Sequence, residues 1–240
     1  MRWTRKHFEY KTTIVTILCE EAYLPAGEER LMHCRKLLEA YILKDPEFAT
    51  THTPHEPLEG ADTLIRRICS ETAKAGVGPM ASVAGAFALE CLAAMLDAGA
   101  KEAVVDNGGD IALQVLEPVT VGIYAGNSQV RDLAFLIEPE EKPLGICTSS
   151  GTVGHSFSYG KADAAVIISH NAVLADAAAT ALGNRIHNRN DLQNCFGFLE
   201  ELDDILGAMA VYQNEVSLWG TLPELIHCPM NQERITRGKL

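Results

Sequence analysis

The chain has 240 residues, 47% of them hydrophobic, with 32 acidic against 20 basic side chains and a formal net charge of −12. That length buries a substantial core in one large domain, and the apolar content excludes a disordered chain. The acidic balance excludes a binder of nucleic-acid backbone, which needs a basic face, and serves solubility instead.

The N-terminal "MRWTRKHFEY" is followed by "TIVTIL", too short for a signal h-region and without a cleavage site. No segment comes near the ~20 apolar residues of a membrane span, so the expected setting is cytoplasmic, with no membrane partner. Seven cysteines (19, 34, 69, 91, 147, 195, 228) form no C-x-x-C pair and are odd in number, which suits reduced thiols. Cys34, Cys69 and Cys91 fall on helical apolar positions and are expected to be buried.

In chain order, "TTIVTILCE" (12–20) is β-branched and predicts a strand. "EERLMHCRKLLEAYILKDP" spaces Leu31, Cys34, Leu38 and Tyr41/Ile42 as a helix does, with Pro46 stopping it. "FATTHTPHEPLEGA" is a loop, and a second helix covers about 61–74, with Gly76 past its end. A helix over about 81–98 is apolar almost all round and must be buried, and Gly85 in it admits a second backbone. Four strand candidates bounded by turn residues follow: "EAVVDNGG", "DIALQVLE", "TVGIY" and "DLAFLIEP". "LGICTSSGTVGHSFSYGKAD" lacks periodicity and predicts a loop. "AAVIIS" is a strand, and "VLADAAATALGNRI" is a helix with Gly183 at its C-cap. The last third predicts an amphipathic helix over 192–209, a strand near "AVYQNEVSLWG" and a polar tail. Helices and strands alternate without a regular βαβ rhythm, so the expected fold class is α+β with antiparallel sheet, in a single domain over 1–240.

Three segments carry polar chemistry. In "DNGGDIAL", Asn107-Gly108 is a hairpin signal, because the central turn residues need positive φ. The segment is either a tight turn between two solvated aspartates or a place where Gly108 and Gly109 let a ligand approach, with Asp110 beside it. "CTSSGTVGHS" is either a surface loop or a cup of N–H groups for an anionic ligand. It is neither a phosphate-binding loop with Lys nor a nucleophile elbow. In the last helix Asp176 and Thr180 are four apart and share a face. Together a carboxylate and a hydroxyl suit a hard cation such as Mg²⁺. Alternatively Asp176 answers a helix dipole and Thr180 bonds back to its own helix. His155, between Gly154 and Ser156, is the general acid/base candidate, or else a histidine bonded to its loop.

Taken in order, "GPMASVAGAFALECL", "NGGD", "TSSG" and "ADAAATALGN" resemble the ApbE superfamily of flavin transferases, over residues 76–184. The nearest resemblance is to its short branch without a lipoprotein signal, in which "TVGHS" and "YGKAD" occur. The resemblance implies a single domain of duplicated halves related to the tunnelling fold, with FAD or FMN bound in a cleft and Mg²⁺ held by Asp176 and Thr180. It places Thr148, Ser149, Ser150 and Gly151 along the flavin pocket, and Gly108, Gly109 and Asp110 near the nucleotide. It also implies Mg²⁺-dependent FMN transfer or FAD cleavage. The transferases' His-x-x-Asp-Pro-x-Thr-Gly stretch is here "HSFSYGKAD", which keeps His155 without Asp-Pro or Thr-Gly, so ligand binding is the firmer expectation. Two other readings stand beside it: a non-catalytic flavin-binding protein, and an accessory protein of sulfur assimilation and homocysteine synthesis in anaerobes. In the second, Cys147 would carry a persulfide through a lowered pKa; otherwise it is a buried, inert thiol. The expected partner is a small nucleotide, bound by a chain that forms a homo-oligomer.

Overall fold

The computed structural model describes residues 3–126, 128–151, 159–229 and 236. Eleven strands are described: β1 (Thr4–Tyr10), β2 (Thr13–Cys19), β3 (Ala103–Asn107), β4 (Asp110–Gln114), β5 (Val119–Ile123), β6 (Leu133–Ile137), β7 (Leu144–Ser149), β8 (Ala164–Ser169), β9 (Ile205–Tyr212), β10 (Glu215–Gly220) and β11 (Glu224–His227). Eight of them form one sheet in the order β1-β2-β3-β4-β7-β8-β9-β10, and β11-β6-β5 form a second. Every pairing is antiparallel. The helices are α1 (Leu24–Ile42), α2 (Glu47–Thr50), α3 (Thr63–Ala75), α4 (Val83–Asp97) and α5 (Ala172–Asn184). The fold is thus α+β with antiparallel sheets and packed helices, as the sequence predicts.

The layering follows from which face each side chain serves. Val15, Ile17, Val105, Ala165, Ile167, Ala208 and Ala210 point to the helices. Val104, Leu113, Ile146, Val166, Ile168, Met209 and Val211 point the other way, onto Val121, Ile123, Phe135 and Ile137 of the small sheet. Strand β8 alternates between these two cores, so all six of its residues are buried. Its sequence is an unbroken apolar run of the kind usual in parallel sheets, although the strand is antiparallel, because both of its faces are covered. Replacing the fully buried Ile167 by alanine costs about 2–5 kcal/mol.

Helix α3 is delimited as read: Asp62 caps it by accepting the Leu64 N–H at 2.9 Å, and Gly76 ends it at φ 72°. Helix α4 packs between α1 and α5. A Cβ on Gly85 would sit 2.4 Å from the Ala172 carbonyl oxygen, so only glycine lets the two backbones meet there. Residues Pro79–Asp97 do reach the length and apolarity of a membrane span, contrary to the sequence expectation, with a mean hydropathy of 1.6 over the best window. In this fold that apolarity faces helices: Ala86, Phe87, Leu92 and Met95 are core residues.

Other expectations are corrected. The segment from 192 to 209 is not a helix. It holds the 3-10 turns Arg189–Gln193 and Gly197–Glu201 and then enters β9. Asp204, at φ 72°, stands in the left-handed region, which a right-handed helix cannot pass through. Strand β7 occupies the start of the predicted Gly/Ser loop, and β1 was not anticipated, because its charged "TRKHFEY" lies on a mostly exposed sheet edge. Gly183 does not cap α5. The helix runs on to Asn184, and Arg185 closes it by donating to the Ala181 carbonyl at 2.7 Å.

One buried carboxylate has a purely architectural setting. Asp45 accepts from the Tyr41 hydroxyl at 2.9 Å and from His55 Nε2 at 2.8 Å, while the Tyr41 oxygen accepts the Leu58 N–H at 2.9 Å. This network fastens the irregular 51–62 segment onto the end of α1. Burial works to raise the Asp45 pKa, but the hydrogen bonds of His55 and Tyr41 outweigh it and hold the carboxyl below its usual range.

Candidate functional site

The site begins at the β3–β4 turn. Asn107 pairs with Asp110, so the two central turn residues are Gly108 (φ 73°) and Gly109 (φ 105°) rather than Asn107 and Gly108. Both φ values are the positive ones a tight two-residue hairpin demands. Among the described residues no atom lies within 4 Å of where a Gly108 Cβ would stand. Neither flanking aspartate is solvated. Asp106 accepts the Gly109 N–H at 2.9 Å and the hydroxyl proton of Thr236. Burial pushes its pKa up.

Asp110 opens β4 and faces Cys147 of β7 across the sheet. Its Oδ1 is shielded from solvent and has no hydrogen-bond partner among the described residues, while the Thr148 N–H and the Cys147 thiol act on the carboxyl to lower its pKa. Burial first, then the charges of Asp176 and Asp106, pushes its pKa well above the carboxylate range. Thr148 and Ser149 end β7 and Ser150 and Gly151 follow, so half of the expected loop is sheet. A Gly151 Cβ would meet the Gly160 carbonyl at 2.2 Å, and a Gly160 Cβ would meet the Gly183 carbonyl at 1.8 Å. The backbone therefore passes tightly over the end of α5. His155 lies outside the described residues.

Helix α5 supplies the other wall. Its N-cap Asn171 accepts from the Val173 and Leu174 amides at 3.2 and 3.4 Å. Asp176 is buried, and its Oδ2 accepts the Gly85 N–H at 2.8 Å. Since Ser82, the residue before α4, makes no side-chain cap, Asp176 caps α4 from a different helix. Burial raises the Asp176 pKa to about 7 against the lowering effect of the Gly85 and Ala84 amides. Thr180 is half-buried one turn further on, and among the described residues its hydroxyl does not bond back to its own helix. At the next turn, Asn184 accepts the Tyr159 N–H at 2.9 Å. Ser149 Oγ lies 3.5 Å from the position of a Gly183 Cβ.

The geometry therefore joins segments 70 residues apart in the chain. Asp110 from the sheet feels the charge of Asp176 from α5, Asp176 holds the first turn of α4, and Ser149 stands beside Gly183 at the end of α5. Sequence reasoning missed that first turn. "GPMASVAGAF" signals close packing, but nothing in it says that the Gly85 amide meets a carboxylate 91 residues later. It also missed Ser82, whose buried Oγ has no partner among the described residues. Cys147 matches the second of its two readings, a buried and inert thiol. Its thiol is fully buried 3.4 Å from the Ala172 carbonyl, and burial together with Asp110 and Asp176 pushes its pKa well up, the reverse of a persulfide carrier.

A profile for the family described as "AbpE bacteria" matches residues 2–211. The chain belongs to that family. A UPF0280 protein of Methanocella arvoryzae is 47% identical over 238 residues, covering 99% of this chain and 97% of its own length. Another, from Archaeoglobus fulgidus, is 43% identical over 239 residues, covering 98% and 99%. Among solved structures, the apo form of the flavinyl transferase ApbE of Pseudomonas stutzeri superposes with a TM-score of 0.55 at 11% identity, covering 92% of this chain and 96% of that one. The flavin transferase ApbE of Vibrio cholerae gives 0.55 at 11% identity, covering 90% and 96%. At such identities the likeness is one of fold: this is an ApbE-like fold.

Proposed function

We propose that this protein binds a flavin nucleotide, FAD or FMN, with its phosphates neutralised by Mg²⁺ held at Asp176 and Thr180. One observation carries the reading. A buried carboxylate and a hydroxyl without a back-bond stand one turn apart on α5, next to a second buried carboxyl oxygen that no described residue satisfies. Among the described residues no group of three or more His, Cys, Asp or Glu side chains forms a metal cage. That fits Mg²⁺, which is held by one or two carboxylates and completed by a ligand's phosphates, whereas a zinc site would be closed by protein alone.

In this reading the chain's own groups position the ligand. The Gly85 amide fixes the rotamer of Asp176, as second-shell donors do for metal-binding carboxylates. The Gly108–Gly109 turn leaves its outer side clear for the nucleotide, and the hydroxyls of Thr148, Ser149 and Ser150 line the approach. Bound Mg²⁺ supplies charge neutralisation and Lewis acidity at the phosphates. The fold shared with flavin transferases supports a flavin as the ligand, and FMN transfer or FAD cleavage is the reaction class we propose. The raised thiol of Cys147 speaks against the sulfur-carrier reading. The test is a fluorescence titration of FAD with and without Mg²⁺. Saturable binding that EDTA abolishes is expected, and no binding at micromolar FAD in either condition overturns the proposal.

A further inference from the structure

We infer that Asp110 is a second carboxylate ligand of the divalent cation that Asp176 and Thr180 hold. This rests on the reading above and adds a residue from a different wall of the site. Three placements support it. Asp110 lies directly across from Cys147, and the Cys147 sulfur is 3.4 Å from the Ala172 carbonyl in the first turn of α5. The same carbonyl and the Asp176 Cβ crowd Gly85, at 2.4 and 2.8 Å from a Cβ placed there. Asp110 and Asp176 therefore reach the start of α5 from opposite sides, one from the sheet and one from the helix.

The second support is chemical. A shielded carboxylate oxygen without a donor is costly, and folded proteins rarely leave one. The Thr148 amide and the Cys147 thiol both act on the Asp110 carboxyl, yet its Oδ1 has no hydrogen-bond partner among the described residues. Two acidic groups brought together in a dry pocket repel each other unless a positive charge stands with them. A divalent cation removes both costs at once. Two carboxylates with one hydroxyl make three hard oxygen ligands, leaving the rest of an octahedron to water and to the phosphates of the nucleotide. On that count the ligand must bring anionic oxygens of its own, which selects phosphorylated flavins over riboflavin.

Mn²⁺ is the probe, read by the loss of the free-ion EPR signal on titration of the full chain without nucleotide. Asp110→Asn keeps the size and shape of the side chain and removes its charge. Its Mn²⁺ affinity is expected to fall by about tenfold or more, as in Asp176→Asn, while both variants keep the wild-type circular dichroism spectrum. Should Asp110→Asn not fold, Asp110→Ser carries the same test. Wild-type Mn²⁺ affinity in Asp110→Asn with loss in Asp176→Asn overturns this inference and leaves the proposed function standing. Mn²⁺ binding that neither substitution changes, or none by the wild type with or without FAD, overturns both. FAD affinity supplies a second readout. It should exceed riboflavin affinity by at least about tenfold in Mn²⁺, and equal affinities count against the phosphate contact.

Discussion

Two carboxylates of this fold, the buried Asp45 and the half-buried Asp110 with its shielded Oδ1, are of one residue type with opposite surroundings. Asp45 receives a phenol and an imidazole within 3 Å, and its pKa is held down. Asp110 has one oxygen without a donor and a like-charged neighbour in Asp176, and its pKa is driven up. The first is complete within the protein and serves to anchor a segment. The second is incomplete, and its deficit is a positive charge. Burial works to raise both carboxyls, and what separates the two is the pair of donors that Asp45 has and the donor that Asp110 Oδ1 lacks among the described residues.

The largest effect that would break this contrast comes from Asp176→Ala. Mg²⁺-dependent FAD affinity should fall by about a hundredfold, and uncapping α4 should cost about 1–2 kcal/mol of stability. Titration and urea unfolding of the same preparation check both, and unchanged affinity would make the carboxylate structural only. Asp45→Ala should cost about 2 kcal/mol, because it strands the Tyr41 hydroxyl and His55, and should leave FAD affinity as it was. A loss of affinity there would erase the distinction. Acidity should sharpen it. Asp45 has a depressed pKa in the folded state, so its stabilisation is present above the unfolded value and disappears as pH falls through the folded one. Asp176 is raised to about 7, so its contribution in EDTA is present below the unfolded value and is lost as pH rises through about 7. Urea midpoints in EDTA should therefore drop on both sides of a mildly acidic optimum, with the alkaline decline relieved by Mn²⁺. Smallest is Asp110→Asn in EDTA, expected to be neutral or to stabilise by up to about 1 kcal/mol, since it discharges an unpartnered group. A clear destabilisation would mean that its charge already has a partner.

The contrast also explains how far the sequence could be read. Helices α1, α3 and α4 are legible because Leu31, Cys34 and Leu38, then Leu64, Ile65 and Ile68, repeat at helical spacing, and Asp62 and Gly76 carry cap chemistry of their own. Strand β7 is not legible, since Gly145 and Ser149 have low strand propensity. Gly145 is there because a Cβ would lie 2.6 Å from the Ala172 Cα, a demand made by a helix later in the chain. Asp176 and Thr180 are visible as a same-face pair on one helix. The cap that Asp176 provides to α4, and the missing donor of Asp110, arise from long-range packing and leave no local pattern. The segment from 192 to 209 misleads for the same reason: its apolar spacing imitates a helix, while the pairing of β9 between β8 and β10 and the left-handed Asp204 dictate turns and a strand.

Because one carboxylate bridges two helices, occupancy of the cleft will be felt outside it. Met80 sits in the 3-10 turn Pro79–Ser82 that leads into α4, and its side chain is 43% exposed. Its ε-methyl resonance offers a reporter, in the unmodified protein, of whether an added ligand is felt at the start of α4.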